Sequence, residues 1–217
     1  MPRPSTPKLS PTLIARAALR LVDKKGEFTI PELAAALQVR PSSLYNHVGG
    51  KGEIVELMRG EAMSAVGLPR DPTAGDWTDV VRGIAVEYLN SYSRHPRLIP
   101  LLTSHTVRDR TTLRVYDALA EAFAAAGFGA AERLEAITIL DSFVIGSALD
   151  AAAPAVVWEA DAEAGDAFRE ALDAGLAVED RARKTFLSGL ELLLVGFRQA
   201  SRSARQGESD PLLSSRT

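Results

Sequence analysis

The stretch LQVRPSSLYNHVGGK, residues 37–51, gathers side chains suited to bonding a polyanion. Ser42 and Ser43 carry hydroxyls that can donate to phosphate oxygens, and Asn46 can pair with a base edge. Tyr45 offers a hydroxyl and a ring, His47 an imidazole, and Arg40 and Lys51 carry positive charge. Only Leu44 and Val48 are left for a core. The plain alternative is a solvated helix, with Tyr45 as a half-buried packing residue and His47 as a surface imidazole.

Three short helices must position this face. Ser10 reads as an N-cap with Pro11 in the first turn, and apolar residues from Leu13 to Val22 repeat at helical spacing. Lys24-Lys25-Gly26 suits a helix exit. Thr29-Ile30-Pro31-Glu32 has capping-box spacing and opens a second helix whose inner face is Leu33, Ala34 and Leu37. Gln38-Val39-Arg40 leaves room only for a tight turn. Pro41 then starts the third helix, which Gly49-Gly50 ends. Two helices joined by a short turn, with an apolar seam and a polar second helix, describe a helix-turn-helix, whose second helix enters the major groove.

Charge is divided in the same way. Residues 1–60 hold nine Lys/Arg against five Asp/Glu, a balance of +4, and residues 61–217 hold sixteen against twenty-three, a balance of −7. A basic reading module joined to an acidic body is expected. The chain has three His and no Cys. With no phosphate loop after a strand and no metal-ligand spacing, no catalytic constellation can be assembled, so an enzyme is not expected. No run is apolar enough to span a bilayer and no secretory signal is visible, so a cytoplasmic protein without a membrane partner is expected.

From Lys51 onward the pattern is helical throughout, with helices expected near 51–66, 76–93, 97–103, 108–126, 130–153, 166–174 and 179–200. Pro154 to Gly165 reads as an acidic loop. The fold class is therefore all-α. The expected division is a basic arm at 1–9, a three-helix helix-turn-helix domain at 10–56, a larger helical domain at 57–200 and a disordered tail at 201–217.

The segment from Leu13 through Leu57 resembles the N-terminal domain of the tetracycline-repressor (TetR) family of bacterial transcription regulators. The likeness is carried by ALRLVDKKGEFTIPELAAALQVRPSSLYNHVGGKGEIVELM: Gly26 before an aromatic residue at Phe28, then T-x-x-x-L-A-x-x-L-x-V, then L-Y-x-H-V followed by Lys51. Gln38 departs from the pattern, because many relatives have Gly there. The resemblance implies phosphate contacts for Thr29 and Lys51. It places Arg40, Ser42, Ser43, Asn46 and His47 at the groove and anchors Tyr45 to the DNA backbone.

The segment AGFGAAERLEAITILDSFVIGSAL resembles the corresponding helix of the family's C-terminal domain. There that helix and the last one pair with their copies in a two-fold four-helix bundle. Here both helices are apolar on more than one side, which asks for cover on several sides. Ile137, Leu140, Phe143, Val144, Phe186, Leu190, Leu193, Leu194 and Phe197 are the candidate homodimer residues, with the protomer's own core as the other use for them. Tyr88, Tyr92, Leu102, Thr103, His105, Tyr116, Phe123, Phe143 and Trp158 are candidates to line a small-molecule cavity, or plain core.

Tetracycline-type sensors hold a magnesium–drug chelate with a His in the region Leu101–His105. Counting back from Gly127-Phe128 puts Thr103 there and His105 two residues away. A different apolar or aromatic effector is expected, with no metal or cofactor. The reading is a dimeric repressor on a palindromic double-stranded operator, released by that effector. A regulator answering a protein partner, or nothing, is the alternative.

Overall fold

The computed structural model describes residues 9–154, 156–161, 163–176 and 180–208. Among them there is no strand. The helices are α1 (Pro11–Lys25), α2 (Ile30–Ala36), α3 (Pro41–Tyr45), α4 (Lys51–Met63), α5 (Trp77–Ser93), α6 (Ile99–Leu102), α7 (Arg110–Ala125), α8 (Ala130–Ala151), α9 (Asp166–Leu176) and α10 (Arg181–Glu208), with a 3-10 turn at Pro96–Leu98. The all-α class is thus observed. Among the described residues no helix is long and apolar enough to cross a membrane.

Local chemistry explains most boundaries. The Leu13 amide donates to the Ser10 hydroxyl at 3.2 Å, and Gly26 leaves α1 with φ +80°. The Asp76 carboxylate accepts from the Thr78 amide at 2.9 Å and hydroxyl at 2.8 Å, which holds its carboxyl below the usual range at the head of α5. Differences from expectation lie at ends. α3 stops at Tyr45, although Val48 beyond it is still buried. α4 stops at Met63 rather than residue 66. α10 continues through Glu208, past the expected end at residue 200. The arm residues 1–8 and the tail residues 209–217 lie outside the described residues.

Gln38 sits in the turn between α2 and α3 with φ +56°, the left-handed region. A residue with a Cβ pays for this backbone, and Gly does not. Gln38→Gly is expected to raise stability by up to about 1 kcal/mol, after the extra freedom Gly gives the unfolded chain. Gln38→Val should lower it by about 1 kcal/mol or more. Urea midpoints of the two variants check both signs.

Contacts divide the chain into two compact units. The first is built from residues up to Leu68 together with Asn90–Ala118, and the second from Pro69–Leu89 with Leu119 onward. In the first unit Ile14, Ala18, Val22, Phe28, Leu33, Leu44, Ile54, Met58, Leu98 and Ile99 form the core, each at most 1% exposed. A polar cluster ties α4 into it. The buried Arg59 guanidinium donates to Glu56 at 2.8 Å and to the carbonyls of Leu102 at 3.0 Å and His105 at 3.1 Å. Glu56 also accepts from the amides of Arg108 at 2.6 Å and Asp109 at 3.0 Å. Gly60 lies against Asp109 so closely that a Cβ there would overlap the carboxylate.

In the second unit Trp77, Phe123, Phe128 and Phe197 form an aromatic cluster, with Phe123 and Phe197 at 5.3 Å between centroids. α8 packs on α10 where the Phe143 and Phe186 rings stack at 5.4 Å. Gly189 permits this approach, because a Cβ there would come within 2.7 Å of the Phe143 ring.

Candidate nucleic-acid interface

The candidate reading face lies on α2, α3 and the start of α4. At the head of α2 the Glu32 amide donates to the Thr29 hydroxyl at 3.3 Å, and Glu32 accepts from the Thr29 amide at 3.1 Å. Lys25 donates to the same carboxylate at 2.5 Å. Lys25 first, and then Thr29, hold the Glu32 carboxyl below its usual range. The Thr29 hydroxyl itself donates to Glu32 at 2.9 Å, so its proton is already engaged inside the protein.

α3 is set by Arg40 in extended conformation, φ −78° and ψ +146°, followed by Pro41 in the first turn. Leu44 and Val48 are buried, and this turns the remaining positions outward. Arg40, Ser42, Asn46 and His47 are exposed, Tyr45 is 57% exposed and Ser43 is half-buried. Among the described residues, the side chains of Arg40, Ser42, Ser43, Tyr45, Asn46 and His47 make no hydrogen bond or ion pair within the protein. The face therefore presents donors and acceptors that only water or a partner can satisfy.

Lys51 opens α4 on the exposed side, with its ammonium 5.2 Å from the centre of the Phe28 ring. The turn ahead of it is held by Glu53, whose carboxylate accepts from the Gly49 amide at 2.6 Å. Gly50, at φ +150°, takes a backbone that a side chain would strain. Sequence reasoning did not single out Phe28 or Glu53 as parts of this face. An acid in the first turn was a usable sign for Glu53, whereas a buried Phe gave none.

The candidate cavity residues differ in burial and in their immediate surroundings. Tyr88, Tyr92, Leu102 and Phe123 are buried, Tyr116 and Phe143 are half-buried, and Thr103 is exposed. Tyr88 donates its hydroxyl to Asp141 at 2.5 Å. His105 lies 2.9 Å from the Leu101 carbonyl and lines a cleft of about 710 Å³ with Glu53, Leu57, Arg108 and Arg110. Trp158 lies under the Arg181 guanidinium at 5.2 Å and lines a recess of about 320 Å³ with Leu172 and Lys184. Among the described residues no three His, Asp or Glu side chains converge as metal ligands.

Among the candidate dimer residues, Leu140, Val144, Phe186, Leu190, Leu194 and Phe197 are at most 6% exposed within the single chain. Ile137, Phe143 and Leu193 are half-buried. Among the described residues, the large apolar groups left open on the same two helices are Leu134 (68% exposed), Ile139 and Leu149 on α8 and Leu187, Leu192 (74%) and Val195 on α10. Thr138, Ser142 and Gly146, spaced four apart and exposed, leave the surface of α8 low enough for another helix to approach.

A family profile described as the tetracyclin repressor-like C-terminal domain matches residues 68–200. The transcriptional repressor DrrR1 of Streptomyces coeruleorubidus is 30% identical over 67% of this chain and 56% of its own length. A transcriptional regulator of Saccharopolyspora erythraea is 30% identical over 73% of this chain and 66% of its own length. The matches thus span less than two thirds of these relatives. Among solved structures, apo ActR from Streptomyces coelicolor has a TM-score of 0.77 at 19% identity, covering 90% of this chain and 98% of that one. ActR in complex with actinorhodin scores 0.73 at 18% identity, covering 89% and 98%. BioQ with its double-stranded DNA operator scores 0.63 at 18% identity, covering 88% and 99%. At these identities the structures share the fold. The matched profile covers more than half of the chain, which belongs to the tetracycline-repressor family.

Proposed function

We propose that this chain is a dimeric DNA-binding transcription regulator, a repressor that a small apolar or aromatic effector releases from a two-fold operator. The observation that carries the reading is the face at α3 and its two ends, where six polar side chains lack a partner among the described residues and a buried seam of Leu44 and Val48 sets which way they turn. Phosphate contacts hold such a helix in register and base-edge contacts give it sequence preference. The operator-bound BioQ and actinorhodin-bound ActR structures support DNA and effector as the two ligand classes. The open faces of α8 and α10 support a homodimer through Leu134, Ile139, Leu192 and Val195. A dimer reads two half-sites, which one short helix cannot do.

The test is selection from a random duplex library at physiological salt. An enriched inverted repeat is expected. A folded, dimeric protein that enriches nothing would overturn the reading. On the enriched duplex, Asn46→Ala should relax preference at one base position by ~1–3 kcal/mol. Lys51→Ala should weaken binding to all sequences alike and lower the salt slope by about one unit. Unchanged affinity and slope in both variants would place the reading face elsewhere.

A further inference from the structure

We propose that Phe28 is a positioning residue for DNA binding, holding the Lys51 ammonium at the phosphate-facing surface through its ring. This rests on the proposed reading of Lys51 as a phosphate contact. Phe28 lies in the linker between α1 and α2 and is fully buried, so its ring is locked by packing. The Lys51 ammonium stands 5.2 Å from the ring centre, although the residue is exposed and free to point into water. That distance lies within the range where a ring quadrupole attracts a cation.

The backbone under Lys51 is fixed separately. Glu53 accepts the Gly49 amide, and Gly50 starts α4. Side chain and main chain are therefore both constrained at a residue whose length would ordinarily give it many rotamers. Ordering a lysine costs entropy on binding, and a lysine ordered in advance gives up less. A ring against one side of the ammonium leaves its other N–H directions free for a phosphate oxygen, so ring and phosphate can hold it together.

The experiment is a double-mutant cycle, read by anisotropy of a fluorescein-labelled random-sequence duplex across a salt series. Phe28 is replaced by Leu in one variant and by pentafluorophenylalanine in another, each with and without Lys51→Ala. The fluorinated ring keeps the shape of Phe and loses the negative face. It therefore serves even if Phe28→Leu fails to fold. Both replacements should weaken binding about two- to five-fold when Lys51 is present. Neither should do so in the Lys51→Ala background, and neither should change the salt slope, because no charge is lost. Equal weakening in both backgrounds, or none with Lys51 present, would overturn the positioning role alone. A Lys51→Ala protein with unaltered affinity and slope would overturn the phosphate contact and the positioning role together.

Discussion

Replacing Leu192 with Glu is expected to turn the protein into a folded monomer that no longer retains its operator. Leu192 is 74% exposed in the single chain, so the carboxylate costs the protomer's own packing almost nothing. In the proposed dimer the same position lies in a helix–helix interface and, by two-fold symmetry, appears there twice. An unpaired charge buried at such a place costs about 3–5 kcal/mol. Two copies would raise the dimer dissociation constant by roughly four orders of magnitude or more. Sedimentation velocity should report a monomer with unchanged circular dichroism. Binding to a single half-site should survive, while the gain from linking two half-sites is lost. Leu134→Glu on α8 should act in the same direction. Dimers persisting in both variants would exclude this face.

Arg59→Met should cost the fold about 3 kcal/mol, the low end for breaking a buried ion pair. The Arg59 side chain is 6% exposed and that of Glu56 13% exposed. Removing the guanidinium strands the Glu56 carboxylate with only the Arg108 and Asp109 amides and takes a donor from two carbonyls. Denaturant midpoints measure the loss. Glu56→Gln added to Arg59→Met should recover part of it, because the buried charge is then gone. Burial pushes the Glu56 carboxyl up, but the Arg108 amide and the Arg59 guanidinium outweigh it, and the net value is low. A lowered carboxyl stabilises the fold above the ordinary carboxylate range and loses that contribution as pH falls through the lowered value. The acid-unfolding midpoint of Arg59→Met should therefore move to higher pH. A wild-type midpoint in both assays would count against the cluster as an anchor of α4.

Much of this molecule was legible in residue order, for local reasons. Ser10, Thr29 with Glu32, and Gly26 mark helix ends by chemistry that acts within a few residues. The outward set on α3 followed from two inward positions. What was hidden depended on partners distant in sequence. Glu56 and Arg59, three apart, look like an ordinary surface pair until the 102–109 segment covers them. Phe28 and Lys51 meet only after α2 and α3 have turned the chain back. α8 and α10 are apolar on more than one side, and periodicity does not say which side the same chain covers. Phe143, Phe186 and Gly189 take the inner side, which leaves Leu134 and Leu192 open.

The division of the first unit between two stretches of chain bears on how such proteins can be recombined. Its N-terminal helices are closed by Leu98, Ile99 and Leu102, by Arg97 donating to the Lys24 carbonyl at 2.6 Å, and by His95 at 3.0 Å from Asp23. A fragment cut at Leu68 would leave that apolar seam bare and Arg59 without its carbonyls. A chimera that grafts the proposed DNA-reading head onto another helical domain must therefore transplant Asn90–Ala118 along with it. A crossover placed at the obvious linker would sever one cooperative unit into two unfinished ones.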